Sequence, residues 1–266
     1  MTIREKLKNK NRIIVKIGSS SLTHESTGEI NYYRLEKLIR ELTDLKNMGK
    51  EVILVSSGAI AVGINTLNLS TRPELLEEKQ AAAAVGQANL MMIYQKIFSE
   101  YNQKVAQILI TKDLIDQPTR RTNAQNTLNT LLKMGAIPIV NENDTVATEE
   151  IVYGDNDTLS AIVGKLVGAD LLILLSDIDG LYNEDPRKNK NAKLISEVSE
   201  ITDYIEHMAG GAGSSCGTGG MATKISAAKI ATSNSMDMII SNANIDNVIE
   251  KIIYGEEIGT LFVSKY

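Results

Sequence analysis

The sequence predicts an α/β fold built on a parallel sheet. Short runs rich in β-branched residues alternate with segments whose apolar residues recur at helical spacing, as in strands joined by crossover helices. The strand-like runs end in small or polar residues, which turn a chain from strand to helix. No Pro-rich or Ser-rich linker divides the 266 residues. We therefore expect one continuous domain with an N-terminal lobe of about 1–165 and a C-terminal lobe of about 166–266.

The N-terminal half alternates predicted strands and helices. The first helix has one apolar stripe, from Leu35 to Leu45, and Gly49 ends it. The second helix contains the run 81–84, four alanines that permit close approach of another backbone. The predicted elements in chain order are strand 12–17, helix 32–48, strand 51–55, helix 79–98, strand 105–110, helix 123–134 and strand 136–140.

The C-terminal half continues the alternation with two long polar insertions. Asn156 and Asp157 stand where a helix cap and a first-turn acid are favourable. The predicted elements are helix 158–167, strand 171–175, a polar excursion over 179–193, a glycine-dense loop over 210–220, helix 222–232, strand 238–240, helix 247–253 and strand 261–263.

Composition excludes several classes of protein. The 28 Lys and Arg against 33 Asp and Glu give a net charge of −5, which disfavours a nucleic-acid partner. The single cysteine, Cys216, forms neither an internal disulfide nor a zinc pair, which predicts a reducing compartment. The charged N-terminus and the short apolar runs predict neither a targeting segment nor a membrane span, so we expect a cytoplasmic protein.

Polar residues follow four of the predicted strands. In open parallel sheets, ligands bind beyond the carboxyl ends of the strands. Gly18 and Gly58 would let backbone N–H groups approach an anion, and each precedes a helical segment. The strand ends carry Lys16-Ile17-Gly18-Ser19-Ser20, Ser56-Ser57-Gly58-Ala59, Asn141-Glu142-Asn143-Asp144 and Ser176-Asp177.

The densest glycine cluster indicates a phosphate-binding loop. Six of the nineteen glycines fall within 210–220, and Met221-Ala222-Thr223-Lys224 follows at a helix start. This composition suits a loop that closes over phosphates, with Lys224 as a point charge. The spacing fits no Walker motif, and no strand precedes the loop as a dinucleotide fingerprint requires. The acidic runs at 155–157 and 177–180 do not fit a calcium-binding EF-hand.

Six segments carry a further signal through their order and spacing: Val15–Ser20, Val55–Ala61, Ala84–Gln87, Val140–Ala147, Gly154–Asp157 and Gly217–Lys224. Taken together, these segments resemble the amino-acid kinase family. Their order and spacing are similar to those of members acting on glutamate rather than on acetylglutamate, aspartate or UMP. The resemblance implies a three-layer αβα sandwich around a mainly parallel sheet. Many members continue into a PUA domain, whereas this chain stops at Tyr266, so we expect no PUA domain.

The resemblance implies transfer of the γ-phosphate of ATP, with Mg²⁺, to the side-chain carboxylate of L-glutamate in proline biosynthesis. That carboxylate has a pKa near 4.3 and is ionised at neutral pH, so it needs no general base. Two anions must meet, and at about 4 Å with an effective dielectric near 20 each pair of unit charges repels by about 4 kcal/mol. The reaction therefore requires positive charge at the site.

The resemblance also implies the site residues. The catalytic set is Lys16 and Lys224, held by the organising carboxylate of Asp157. It assigns no side chain to Mg²⁺. The residues implied for glutamate are Ser57, Gly58, Asp144 and Asn156, and those implied for ATP are Lys16, Gly18, Ser176, Asp177, Thr218, Gly219, Gly220, Met221, Ala222, Thr223 and Lys224.

Two alternatives remain at this point: a kinase of the same fold acting on another carboxylate or phosphate, and a non-catalytic amino-acid sensor. The presence of both lysines with Asp157 disfavours the sensor. The resemblance further implies feedback inhibition by proline, involving the polar segment 113–126, and a homo-oligomer, with no nucleic acid or membrane as partner.

Overall fold

A computed structural model describes residues 2–111, 117–146, 156–211 and 220–265. The chain divides into two compact units. The discontinuous unit consists of Met1–Lys16 and Asp155–Tyr266, and the inserted unit is Ile17–Gly154.

The inserted unit is built on parallel strands. β2 and β3 both pair with β4 in parallel, in the order β3-β4-β2. β2 and β4 are buried along almost their whole length, so both of their faces are covered, as is usual for parallel sheets flanked by helices. Its elements are α1 Ser19–Leu22, α2 Tyr32–Asn47, β2 Glu51–Ser56, α3 Ala59–Thr66, α4 Leu76–Glu100, β3 Val105–Ile110, α5 Pro118–Lys133 and β4 Ile137–Glu142, after β1 Arg12–Ile17.

Helices α3 and α4 cross closely enough to require glycine. A Cβ added at Gly63 would overlap the carbonyl oxygen of Ala82, and one added at Gly86 would overlap that of Ala59. The small residues of α4 thus allow the backbone approach that the alanine run predicts. This contact anchors α3, whose first turn follows directly from the end of β2.

The discontinuous unit has the strand order β1-β5-β7-β8-β6. β5 and β7 are parallel, whereas β8 runs antiparallel to β7. β5 is buried throughout and β7 nearly so, and helices α6 and α8 pack against each other beside them. Besides β1, its elements are the 3-10 helix Arg4–Asn9, α6 Asn156–Val167, β5 Leu171–Ser176, β6 Glu197–Val198, α7 Asp203–Gly211, α8 Met221–Thr232, β7 Asp237–Asn242, α9 Val248–Ile253 and β8 Thr260–Phe262.

The N-terminal segment is fastened to the C-terminal part of the chain. The buried Arg4 guanidinium donates hydrogen bonds to the carbonyl oxygens of Ser196 and Gly259, at 2.6 and 3.0 Å, and to two further carbonyl groups nearby. The Asp170 carboxylate accepts from the N–H groups of Asn11 and Arg12, at 2.8 and 3.0 Å. These bonds join residues about 160 to 250 positions apart in sequence.

The mainly parallel sheet and its flanking helices confirm the predicted fold class. The division of the chain differs from the predicted lobes at 1–165 and 166–266. Residues 1–16 belong to the discontinuous unit because Arg4 and Asp170 form hydrogen bonds that join them to the C-terminal part of the chain. Helix α6 belongs to the same unit because it packs on α8. Within the described ranges, no helix is both long and apolar enough to cross a lipid bilayer.

Candidate active site

Three charged side chains from distant parts of the sequence meet in the discontinuous unit. The Lys16 Nζ lies 2.6 Å from Asp157 Oδ1, and the Lys224 Nζ lies 2.8 Å from Asp157 Oδ2. Asp157 is 1% exposed, Lys224 4% and Lys16 8%. These three residues, called the charge cluster below, are the ones that the family resemblance implies as the catalytic set.

The secondary structure explains how the charge cluster forms. Lys16 lies one residue before the end of β1, while Asp157 and Lys224 lie in the first turns of α6 and α8. A carboxylate at a helix N-terminus is stabilised by the helix dipole. Thr223 adds a hydroxyl 3.0 Å from Asp157 Oδ2, and the packing of α6 on α8 keeps both helix ends together.

The pKa of Asp157 reflects its contacts with the two lysines. Burial would raise the pKa of Asp157, but the Lys16 and Lys224 ammonium groups outweigh burial and lower it to about 2. Asp157 is therefore ionised at neutral pH. Two ammonium groups and one carboxylate leave a formal charge of +1 in a buried environment, which attracts an anion.

The structure describes most of the residues that the resemblance implies for ATP. The Ser176 hydroxyl, at the end of β5, donates to Asp177 Oδ1 at 2.9 Å, and Asp177 is exposed. Gly220 is the N-cap of α8, so the 220–224 segment presents a helix N-terminus and the Lys224 ammonium, a combination suited to phosphate. Thr218 and Gly219, like most of the glycine-dense loop, lie outside the described residues.

The resemblance implies Thr223 for ATP, and its hydroxyl lies within hydrogen-bond distance of two protein oxygens. Besides Asp157 Oδ2, it lies 2.8 Å from the carbonyl oxygen of Gly220. Sequence reasoning gave Thr223 no part in holding Asp157, although its position beside Lys224 in the first turn of α8 is a usable signal. Gly18 is the N-cap of the short helix α1 in the inserted unit.

In the inserted unit, Ser57, Gly58 and Asp144 follow the ends of neighbouring parallel strands. Ser57 and Gly58 come directly after β2, and Asp144 comes two residues after β4. Burial and the nearby Glu142 carboxylate raise the pKa of Asp144 to about 7. A bound cation would favour the ionised form of Asp144, so this position suits an ammonium group.

Two further buried polar residues, Asn156 and Glu142, lie close in sequence to predicted site residues. Asn156 is the buried first residue of α6 and precedes Asp157 directly. Glu142, the buried last residue of β4, received no role from the sequence, although it stands in the quoted segment Val140–Ala147. Among the described residues, no group of three or more His, Cys, Asp or Glu is arranged to hold a metal ion.

Residues 11–242 match the amino acid kinase family. The fold agrees, because the structure of UMP kinase from Bacillus anthracis aligns over 97% of both chains with a TM-score of 0.65 at 18% identity. The chain therefore belongs to the amino acid kinase family, and it is a kinase of that family.

Within this family, the chain is similar to relatives named glutamate 5-kinase. Glutamate 5-kinase of Clostridium perfringens is 55% identical over 99% of both chains. Glutamate 5-kinase of Carboxydothermus hydrogenoformans is 57% identical over 99% of this chain and 70% of that relative. This chain is thus similar to glutamate 5-kinases over nearly its whole length.

Proposed function

We propose that this chain transfers the γ-phosphoryl group of ATP to the side-chain carboxylate of L-glutamate, forming L-glutamyl 5-phosphate in the first step of proline biosynthesis. The observation that carries the proposal is the charge cluster, in which two ammonium groups converge on one buried carboxylate. The similarity to glutamate 5-kinases supports the choice of substrate.

The reaction needs no general base from the chain. One oxygen of the ionised glutamate side chain forms a bond to the γ-phosphorus, while the bond from that phosphorus to the β–γ bridging oxygen breaks and ADP leaves with the electron pair. No proton is transferred in this step. Catalysis then consists of positioning and of stabilising negative charge on the transferring group.

Lys16 and Lys224 would supply that stabilisation. The incoming carboxylate and the γ-phosphoryl group repel each other by about 4 kcal/mol per pair of unit charges at about 4 Å and an effective dielectric near 20. Asp157 holds both ammonium groups before substrate arrives, so little reorganisation is needed during the reaction. The cluster's net positive charge offsets the repulsion.

The amino-acid end of glutamate needs partners of opposite charge. Asp144 would pair with the α-ammonium group, which would lower the raised pKa of this carboxyl. The Ser57 hydroxyl, the Gly58 N–H and the Asn156 amide would donate hydrogen bonds to carboxylate oxygens.

ATP would contact Gly18, Ser176, Asp177, Thr218, Gly219 and the start of α8 at Gly220–Lys224. Kinases of this kind take ATP with a divalent metal, for which we propose Mg²⁺. The described residues offer it no ligand cluster, and Mg²⁺ commonly relies on substrate phosphates and water, so no step is assigned to it.

Three further properties belong to the proposal: a cytoplasmic location, assembly into a homo-oligomer, and inhibition by proline that involves the segment 113–126. If proline competes with glutamate, millimolar proline should raise the apparent KM for glutamate. An unchanged KM contradicts this part of the proposal.

The decisive experiment is ATP turnover with L-glutamate and hydroxylamine, which converts the acyl phosphate to a hydroxamate. We expect hydroxamate formation that requires both substrates. The same assay with acetylglutamate and aspartate, together with ADP release in the presence of UMP, tests the other kinase specificities. Turnover of one of these without turnover of glutamate overturns the proposal, and ligand binding without any turnover indicates a sensor.

A further inference from the structure

Tyr94 is a buried tyrosine whose hydroxyl reaches the end of β2. It lies on α4 and is 0% exposed, and its hydroxyl oxygen is 2.8 Å from the Ser56 Oγ. Ser56 is 1% exposed and is the last residue of β2, next to Ser57 and Gly58. A buried hydroxyl pair of this kind fixes both side chains.

The direction of these hydrogen bonds follows from the available protons. The Ser56 Oγ lies 3.1 Å from the carbonyl oxygen of Ser57, which can only accept. Because Ser56 has one hydroxyl proton, donating it to that carbonyl leaves Tyr94 as the donor to Ser56. Burial raises the pKa of Tyr94, so its hydroxyl stays protonated and remains a donor. The bonds form a chain from Tyr94 through Ser56 to the Ser57 carbonyl.

This chain of bonds fixes the orientation of the peptide between Ser57 and Gly58. In a planar trans peptide the C=O and N–H bonds point in opposite directions, and the described residues contain no cis peptide. With the Ser57 carbonyl turned toward Ser56, the Gly58 N–H points away from it. None of the described residues accepts a hydrogen bond from this N–H, which is therefore available to an anion.

Gly58 forms the turn from β2 into α3. Its φ is +108°, in the left-handed region that favours glycine, and it immediately precedes α3. The Ser57 N–H donates to the carbonyl oxygen of Ile17 at 3.2 Å, which holds the other side of the turn. The Tyr94–Ser56 pair holds the Ser57 carbonyl.

The same face of α4 also supports the neighbouring strand. Gln87 lies seven residues before Tyr94, two helical turns away on one face, and its Oε1 accepts from the Asn141 Nδ2 at 2.9 Å. Asn141 belongs to β4, whose end leads to Asp144. Helix α4 therefore contacts both strand ends that precede the residues proposed to bind glutamate.

We propose that Tyr94 is a positioning residue for the amino-acid substrate, which acts through Ser56 to aim the Gly58 N–H at a carboxylate of glutamate. This inference rests on the proposed function of the Ser57–Gly58 turn.

The test begins with Tyr94→Phe, which removes only the hydroxyl. We expect the KM for glutamate to rise about 2- to 10-fold, the value of one hydrogen bond, with smaller changes in kcat and in the KM for ATP. Tyr101→Phe is the matched control, since the Tyr101 hydroxyl at the end of the same helix is exposed and lies 3.3 Å from Glu36. The control should leave all three constants unchanged.

A double-mutant cycle with Ser56→Ala separates positioning from general packing. If Tyr94 acts through Ser56, Tyr94→Phe has little further effect on the KM for glutamate in the Ser56→Ala protein. The rise in melting temperature produced by glutamate gives a second readout, and it should shrink in Tyr94→Phe. An unchanged KM in Tyr94→Phe, or the same fold-change in both backgrounds, overturns the inference. Absence of glutamate turnover in the unmutated protein overturns the proposed function instead.

Discussion

Replacing Asp157 with asparagine removes the carboxylate that both Lys16 and Lys224 contact while keeping the shape of the side chain. The amide can still accept hydrogen bonds, but it cannot neutralise two ammonium groups. The substitution therefore tests whether charge, rather than shape, organises the cluster.

The expected loss of folding stability follows from the pKa of Asp157. The charge cluster lowers this pKa from 3.8 to about 2 despite burial, and one pKa unit corresponds to about 1.4 kcal/mol, so ionised Asp157 contributes about 2–3 kcal/mol to folding. Because the folded-state pKa is the lower one, this contribution is present above about pH 4 and is lost as pH falls toward 2. Asparagine also leaves buried ammonium groups uncompensated, so the total loss should be about 3–5 kcal/mol.

The assay pairs hydroxamate formation with thermal unfolding. We expect kcat to fall about 100- to 1,000-fold, as when one preorganised electrostatic group is removed. Asp237→Asn is the matched control: Asp237 is also buried and lies 2.7 Å from the Lys10 Nζ, but it begins β7 rather than lying in the first turn of α6. The control should lower the melting temperature and preserve kcat. A kcat for Asp157→Asn within threefold of the unmutated value refutes the reasoning.

Three other perturbations follow from the same structure. Since the pKa of Asp144 is about 7 and only the ionised form pairs with an ammonium group, kcat/KM for glutamate should fall about tenfold per pH unit below 7; a pH profile that is flat from 6 to 8 contradicts this. Lys224→Met should lower kcat more than 100-fold and change the KM for glutamate less than threefold, as steady-state kinetics would show, whereas a pure KM effect would assign Lys224 to binding. Gly86→Ala should lower the melting temperature by about 2–10 °C, because its Cβ would overlap the carbonyl oxygen of Ala59, and an unchanged value contradicts the close helix crossing.

The strongly periodic elements of the fold could be predicted from the sequence. β1 and β3 have the predicted bounds, and the apolar stripe of α2 is buried as expected. The 3-10 helix Arg4–Asn9 and helix α7 were not predicted, because their sequences are short and their apolar residues few. The placement of residues 1–16 with the C-terminal part depends on Arg4 reaching carbonyl groups far along the chain, which no local pattern reveals.

For the candidate site, the sequence indicated which residue types stand at the strand ends, and the resemblance identified the charge cluster. The distances and the pKa shifts required the structure, because both depend on burial and on which side chains lie nearby in the fold. Burial is the larger cause of the raised pKa of Asp144, and the Glu142 carboxylate is the second. The hydrogen bond from Tyr94 to Ser56 joins residues 38 positions apart in sequence. It connects one face of helix α4 with the end of strand β2, and sequence periodicity alone cannot show that these two meet.

The division of the chain into a continuous and a discontinuous unit has a consequence for its synthesis. Ile17–Gly154 is uninterrupted, so it can fold on the ribosome soon after residue 154 emerges. Met1–Lys16 is made first, yet its partners Ser196 and Gly259 are made much later, and a long loop must close before they meet. The Lys16–Asp157–Lys224 contacts can form only after residue 224 has been made, so the groups proposed to transfer phosphate come together late in synthesis.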